Sequence, residues 1–275
     1  MELLQRLQKD HIEQTVIVVS TVAREGAKET IQALEYGAFD FVTKPENYLE
    51  TKSVEFKNRI FEMLNVATNS KASIRRTSMS KTIAPVKKDL KSGRTLTSVI
   101  ARTERTVVHT PAKKVDGSMF TSVKTGKKKI VALACSTGGP KSLQQVIPML
   151  PAKLDAGVVL VQHMPAGFTA SLAARLNEMS DINVKEAADG DVIKKGWVYI
   201  APGGKHIRIE KKGTDSVIKL STEPPIEGLR PCANVMYESL TSSNYDEITC
   251  VVLTGMGADG TNGIKALNKN HKNIY

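Results

Sequence analysis

The segment KKIVALACSTGGP, Lys128 to Pro140, decides how this chain is read. Ile130 to Ala134 are uninterrupted apolar residues without polar alternation, the pattern of a strand buried on both faces. The small residues that follow allow a sharp bend, and Gly138 to Leu150 carry a helical pattern. The same order recurs downstream. Ala156–Val161 reads as a second buried strand and Thr169–Met179 as a helix. Trp197–Ala201, Ile207–Glu210 and Ser216–Ser221 are shorter strands, Asn234–Leu240 is helical, and ITCVVLTG (248–255) is a third strongly apolar strand. Strand–helix alternation of this kind predicts an α/β fold: a mainly parallel, doubly wound sheet with helices on both faces.

Upstream, residues 1–65 also alternate. Leu3, Leu4 and Leu7 share one face of a short helix, Thr15–Val19 is a β-branched apolar run, and Gly26–Glu35 is helical with Gly37 placed as its C-terminal cap. Phe39–Thr43 is a second short strand, and Val54–Leu64 sets Phe56, Ile60, Phe61 and Leu64 at helical spacing. Residues 66–126 are of other material, rich in Ser, Thr and Lys and almost without aromatics. Such a stretch buries too little apolar surface to offset its ordering entropy and reads as a linker. The chain therefore divides into 1–65, a linker at 66–126, and a larger domain at 127–275.

The formal net charge of +11 is concentrated in that middle stretch: Lys71 to Lys129 hold 16 Lys/Arg against 3 Asp/Glu, which leaves the rest of the chain slightly acidic. Without interleaved aromatics as stacking platforms, no nucleic-acid partner is expected; an acidic protein or lipid surface stays open as its partner. No apolar run approaches the roughly 18 residues of a membrane span. The N-terminal MELLQRLQKDHIEQ lacks the apolar core of a signal peptide. A soluble, cytoplasmic protein without membrane insertion is expected. The three cysteines, Cys135, Cys232 and Cys250, have no paired short spacing, which argues against a disulfide framework or a zinc site.

In open α/β sheets ligands bind at the carboxyl ends of the strands, so the residues following each strong strand are the candidates. Ser136 follows the first, His163 the second and Asp259 the third. A hydroxyl, an imidazole and a carboxylate are the parts of a nucleophile–base–orienter relay. Each also has a plainer reading. Ser136 before two glycines could cap a helix or help cradle an anion, a single histidine is often structural, and an aspartate among glycines often bonds its own turn. His206 reads as shaping a neighbouring loop, with a substrate contact as its other reading. Together the three strand ends favour hydrolysis through an acyl-enzyme, with the backbone around Met256 as part of an oxyanion hole.

The motifs CSTGGP, VQHMPAGFT, YIAPGGKH and LTGMGADG, in this order and spacing, resemble the catalytic domain of the chemotaxis protein-glutamate methylesterases, the CheB family. The resemblance implies a hydrolase acting on glutamate methyl esters of methyl-accepting chemoreceptors, with deamidation of receptor glutamines at the same site and no metal or cofactor. It assigns Ser136 as nucleophile, His163 as base, Asp259 as orienting acid and the Met256 amide to the oxyanion hole. Cys135 stands where the family usually has Ala. VIVVSTVAREGAKETIQALEYGAFDFVTKP, Val16 to Pro45, resembles the second half of a receiver (flavodoxin-like) domain of the methylesterase type. There Ser20 matches the switch hydroxyl and Lys44 the lysine that pairs with a phosphorylated aspartate, which implies a histidine kinase as partner of the full-length family. Against the family pattern the chain looks clipped at both ends, lacking the phosphoacceptor and the earlier receiver strands. A two-stranded piece with an open edge is expected to be marginal or disordered. The alternative function is an inactive fragment that binds receptors or partner proteins without catalysis.

Overall fold

Every residue of the strand GVVLVQ (Gly157–Gln162) is buried, because it lies at the centre of a five-stranded parallel sheet. The structure, a computed structural model, describes residues 1–20, 24–45, 47–79, 126–270 and 273–275. In chain order the front segment holds α1 (Glu2–Lys9), β1 (Ile17–Ser20), α2 (Arg24–Glu35), β2 (Asp40–Thr43) and α3 (Val54–Met79). Beyond residue 125 come β3 (Lys129–Cys135), α4 (Gly139–Val146), β4 (Gly157–Gln162), α5 (Phe168–Met179), β5 (Asn183–Glu186) and β6 (Trp197–Ile200). They are succeeded by the antiparallel hairpin β7 (His206–Lys212) and β8 (Asp215–Ser221), then α6 (Ala233–Ser239), β9 (Glu247–Val252) and α7 (Thr261–Asn270).

The sheet order is β5-β6-β4-β3-β9, and its period-2 alternation sorts the apolar residues into two cores. Leu133, Val158 and Leu160 point to one face and pack with Leu143, Phe168, Leu172 and Leu176 of α4 and α5. Ile130, Ala132, Ala134, Val159 and Val161 point to the other, against Met236, Tyr237 and Leu267 of α6 and α7. Both faces are covered, as continuous apolar strands require. Each fully buried Leu or Phe contributes on the order of 1.5–3 kcal/mol relative to exposure, so the central strands are held more by this burial than by propensity.

Several boundaries differ from the sequence expectation for identifiable reasons. The helix expected to reach Leu150 ends at Val146 and tightens into a 3-10 turn at Ile147–Met149, where Pro148 lacks the amide an α-helix needs. The strand β5, NVKE, escapes notice because Val184 is its sole apolar residue; it exists through parallel pairing with β6 at the sheet edge. The stretch expected as a linker, 66–126, begins inside a helix. Helix α3 runs on to Met79, since low hydrophobicity argues against burial but not against helix, and Ala, Lys, Arg and Met all favour that backbone. The remainder of that stretch, residues 80–125, lies outside the described residues. At the other end, residues 273–275 run alongside β9, with Cys250 N donating to Tyr275 O at 2.8 Å and Tyr275 N to Ile248 O at 3.1 Å.

The front segment departs further from expectation, being seated rather than marginal. Its β1 and β2 pair in parallel, and the open β1 edge leaves Val19 54% exposed. Its helix α2, however, buries Ala27, Ile31 and Leu34 in the same core as α4 and α5. Phe41 stacks on Phe168 with ring centroids 4.8 Å apart, and Arg175 of α5 grips Glu35 of α2 with two hydrogen bonds. A piece too small to bury its own apolar surface is completed by a second domain's helices.

The deepest link is Asp40, 4% exposed, whose Oδ2 accepts the Gly138 amide at 2.6 Å while Oδ1 accepts the Phe41 amide at 2.8 Å. Burial pushes its carboxyl up to about 6, against the lowering effect of those two amides. Gly138 belongs to the β3–α4 turn and adopts a left-handed φ of 75°. The next residue, Gly139, lies so close to Gln162 that a Cβ there would meet its Oε1 at 1.9 Å.

These contacts make two predictions. Because the folded pKa of Asp40 is raised, the native state holds its proton more tightly, and this group's stability contribution falls as pH rises from about 4 through 6. Asn offers one accepting oxygen where Asp40 meets two amides, so Asp40→Asn is expected to start about 1–3 kcal/mol below the native chain near pH 4 and to gain about 2–3 kcal/mol on it by pH 7. Urea unfolding of both across pH checks this, and a pH-independent difference contradicts it. Gly139→Ala is expected to cost about 1–3 kcal/mol through overpacking against Gln162, read from the same unfolding curves; an unchanged midpoint contradicts it.

Candidate active site

Strands β4, β3 and β9 are neighbours in the sheet, so the loops that leave them emerge side by side at the carboxyl edge. The strand register continues a step past the strands themselves. His163 N donates to Cys135 O at 3.2 Å, and Ser136 N donates to Thr254 O at 2.8 Å. Thr254 Oγ1 returns a bond to Thr137 O at 3.1 Å. Gly255 then passes so near Ser136 that a Cβ on it would lie 2.7 Å from the serine Cβ, which only glycine permits. The Gln162 amide nitrogen donates to Ser136 O at 3.0 Å and to His163 O at 3.3 Å, holding the β3 and β4 exits in fixed register.

His163 Nε2 lies 2.8 Å from Asp259 Oδ2. An ionised carboxylate only accepts, so Nε2 carries the proton and Nδ1 is the nitrogen free to take another. Asp259 is the more deeply placed of the two, with 5% of its side chain exposed against 15% for His163. Its carboxylate also accepts the amides of Ala233 at 2.6 Å and Asn234 at 2.9 Å, the first two residues of α6, and the Cys232 thiol at 3.1 Å. Burial alone would raise this carboxyl, but the bonds from His163, Ala233 and Asn234 outweigh it and hold Asp259 below the usual carboxylate range. Asn234 answers from α6, its Oδ1 accepting the amides of Gly260 at 3.0 Å and Gly263 at 2.8 Å. The loop carrying Asp259 and the start of α6 thus satisfy each other's unpaired amides.

Ser136 and His163 line a cavity of about 410 Å³ together with Thr137, Gln162, Met164 and Leu229–Pro231, and with Asp40–Thr43, Arg59 and Met63 from the front segment. Asp259 is not among its lining residues and stands behind His163. Ser136 Oγ makes no hydrogen bond among the described residues, and nucleophile–base bonds often tighten only with substrate. Met256 is 45% exposed in the loop beyond Gly255, outside the cavity lining. Ser20 and Lys44 meet at the ends of β1 and β2, where Lys44 N donates to Ser20 O at 2.6 Å and Ser20 Oγ to Gly26 O at 3.2 Å. Cys135 is buried, and its thiol is pushed up by that burial, so it stays protonated and inert. His206 is fully buried, with Nε2 against Pro224 O at 3.1 Å, in keeping with a loop-shaping role. Among the described residues no cluster of three or more His, Cys, Asp or Glu could hold a metal ion, and no helix is long and apolar enough to cross a membrane.

Sequence reasoning missed Asp40, Gln162, Cys232 and Asn234. Gln162 adjoins His163 and could have been flagged as a polar residue in an otherwise apolar strand. Cys232 and Asn234 act 25 or more residues from Asp259, and nothing local in the sequence announces that pairing.

The CheB methylesterase family model matches residues 131–275. A protein-glutamate methylesterase/protein-glutamine glutaminase of Oceanobacillus iheyensis is 36% identical over 271 residues, covering 98% of this chain and 68% of that protein. Its namesake in Halalkalibacterium halodurans is 35% identical over 269 residues, with the same two coverages. Among solved structures, the catalytic domain of the Thermotoga maritima CheB methylesterase is 40% identical, with a TM-score of 0.51 over 54% of this chain and 78% of that one. The chain therefore belongs to the CheB methylesterase family of carboxylic ester hydrolases.

Proposed function

We propose that this chain hydrolyses glutamate methyl esters on chemoreceptors through Ser136, His163 and Asp259, releasing methanol. The observation that carries the reading is the His163–Asp259 bond of 2.8 Å behind a cavity that Ser136 and His163 share. His163 Nδ1 takes the Ser136 proton as Oγ attacks the ester carbonyl, and Asp259 stabilises the imidazolium so formed. The Met256 amide, which bonds nothing among the described residues, is the donor proposed for the tetrahedral oxyanion. Collapse breaks the ester C–O bond; the imidazolium returns its proton to the departing methoxide, giving methanol and an acyl-Ser136. Water, deprotonated by His163, then attacks the acyl carbon; the C–Oγ bond breaks, the imidazolium returns its proton to Ser136 Oγ, and the glutamate leaves. A receptor glutamine enters the same sequence with ammonia as leaving group.

Residues 127–275 form the hydrolytic unit on this reading, and residues 1–65 the second half of a receiver, with Ser20 as switch hydroxyl and Lys44 as the partner of a phosphoaspartate in the full-length family. A kinase-driven signal would then reach the site through the walls that β2 and α3 contribute to the cavity.

The test is methanol release from methylated receptor by the full chain beside Ser136→Ala. The variant is expected to lose about 10³-fold or more in kcat. Undiminished turnover in Ser136→Ala rules the mechanism out, and a folded native chain that binds receptor without turnover favours the non-catalytic alternative.

A further inference from the structure

Asp259 receives four donors, two on each oxygen. Oδ1 takes the Cys232 thiol at 3.1 Å and the Asn234 amide at 2.9 Å; Oδ2 takes the Ala233 amide at 2.6 Å and His163 Nε2 at 2.8 Å. Two of these are backbone amides and one is the base itself. Among the described residues, Cys232 is thus the one side chain besides His163 whose identity can alter the acid through a hydrogen bond.

Cys232 stands just before α6, where a side chain ordinarily turns inward to cap its own helix. Its sulfur faces the Val235 and Asn234 amides, Asp259 takes those of Ala233 and Asn234, and the thiol proton is directed onto the carboxylate. The residue is 1% exposed. We propose that Cys232 is a positioning residue for the hydrolysis, its thiol fixing the rotation of the Asp259 carboxylate so that Oδ2 faces His163. This role rests on the triad reading. With Oδ1 engaged by two donors, the carboxylate cannot swing its second oxygen toward the base without breaking both bonds. The thiol also draws charge from the carboxylate, which moderates how strongly Asp259 favours the imidazolium.

The thiol stays a donor throughout the working range, because burial and then the Asp259 bond push it up to about 11. Sulfur is a weak donor compared with a hydroxyl, so Cys, Ser and Ala form a graded series at one position. Among the described residues, the titratable groups acting on Asp259 are His163 from the β4 end, Cys232 before α6 and Tyr237 within it. None of them supplies a fixed charge that would mask the effect of this donor.

Methanol release from methylated receptor is measured from about pH 5 to 9 for the full chain, Cys232→Ala and Cys232→Ser, with Ser136→Ala alongside. Cys232→Ala is expected to lower kcat about fivefold with KM within about twofold, and to raise the acid-side half-activity pH by about 0.3. Cys232→Ser is expected to restore kcat to within about twofold and to set that pH below the native value, as befits the stronger donor. An alanine profile that overlays the native one in both readouts overturns the proposal. Equal loss in both variants with an unmoved acid limb also overturns it, since that marks packing alone. Should the alanine variant not fold, the serine variant decides: a downward shift supports the role and an unmoved limb refutes it. Full turnover in Ser136→Ala overturns the triad reading and this role with it, whereas the Cys232 outcomes bear on the positioning role alone.

Discussion

The reciprocal capping between Asp259 and Asn234 is what the rest of the site hangs on. Helix α6 begins with amides that have no partner inside the helix, and the carboxylate from the far loop satisfies two of them. The amide of Gly260 at the end of that loop and that of Gly263 in the first turn of α7 are satisfied in turn by an α6 side chain. Neither the β9–α7 loop nor the start of α6 can shift without leaving buried polar groups unpaired, a penalty on the order of 1–3 kcal/mol for each group. His163 is bonded to a carboxylate that is already immobilised. An imidazole oriented this way holds one tautomer and one ring direction.

The Ser136 side is held by closeness rather than by charge. Gln162 spans the β3 and β4 exits, Gly139 lies against it, and Gly255 leans on Ser136. Side chains larger than hydrogen at either glycine would displace the turn. The front segment joins the same framework through the Asp40–Gly138 bond, two residues from Ser136. Asp40 of β2 is thus bonded directly to the turn that follows Ser136, through a carboxyl that is buried.

Much of this was legible in the residues. The apolar runs at Ile130–Ala134, Ala156–Val161 and 248–255 identify three strands, and the carboxyl-edge rule then picks out Ser136, His163 and Asp259. The motifs around them carry the family. What stayed hidden is what depends on contacts distant in sequence. NVKE has no strand signal of its own and becomes β5 only beside β6. The front segment looks too small to stand because its core partners, α4 and α5, come more than sixty residues later. Cys232 looks like an ordinary reduced cysteine until Asp259 is placed within 3.1 Å of it. Helix α3 overran the expected linker boundary because composition speaks to burial, while helix persistence depends on backbone propensity.

The most direct test of the central claim is covalent. A small fluorophosphonate reacts only with a serine whose proton is removed by a neighbouring base, so incubating the full chain with it and mapping the adduct by mass spectrometry reports the relay itself. The account predicts one adduct, on Ser136, formed at least about tenfold more slowly in Asp259→Asn. An adduct elsewhere, or none on Ser136 in a folded chain, would contradict it.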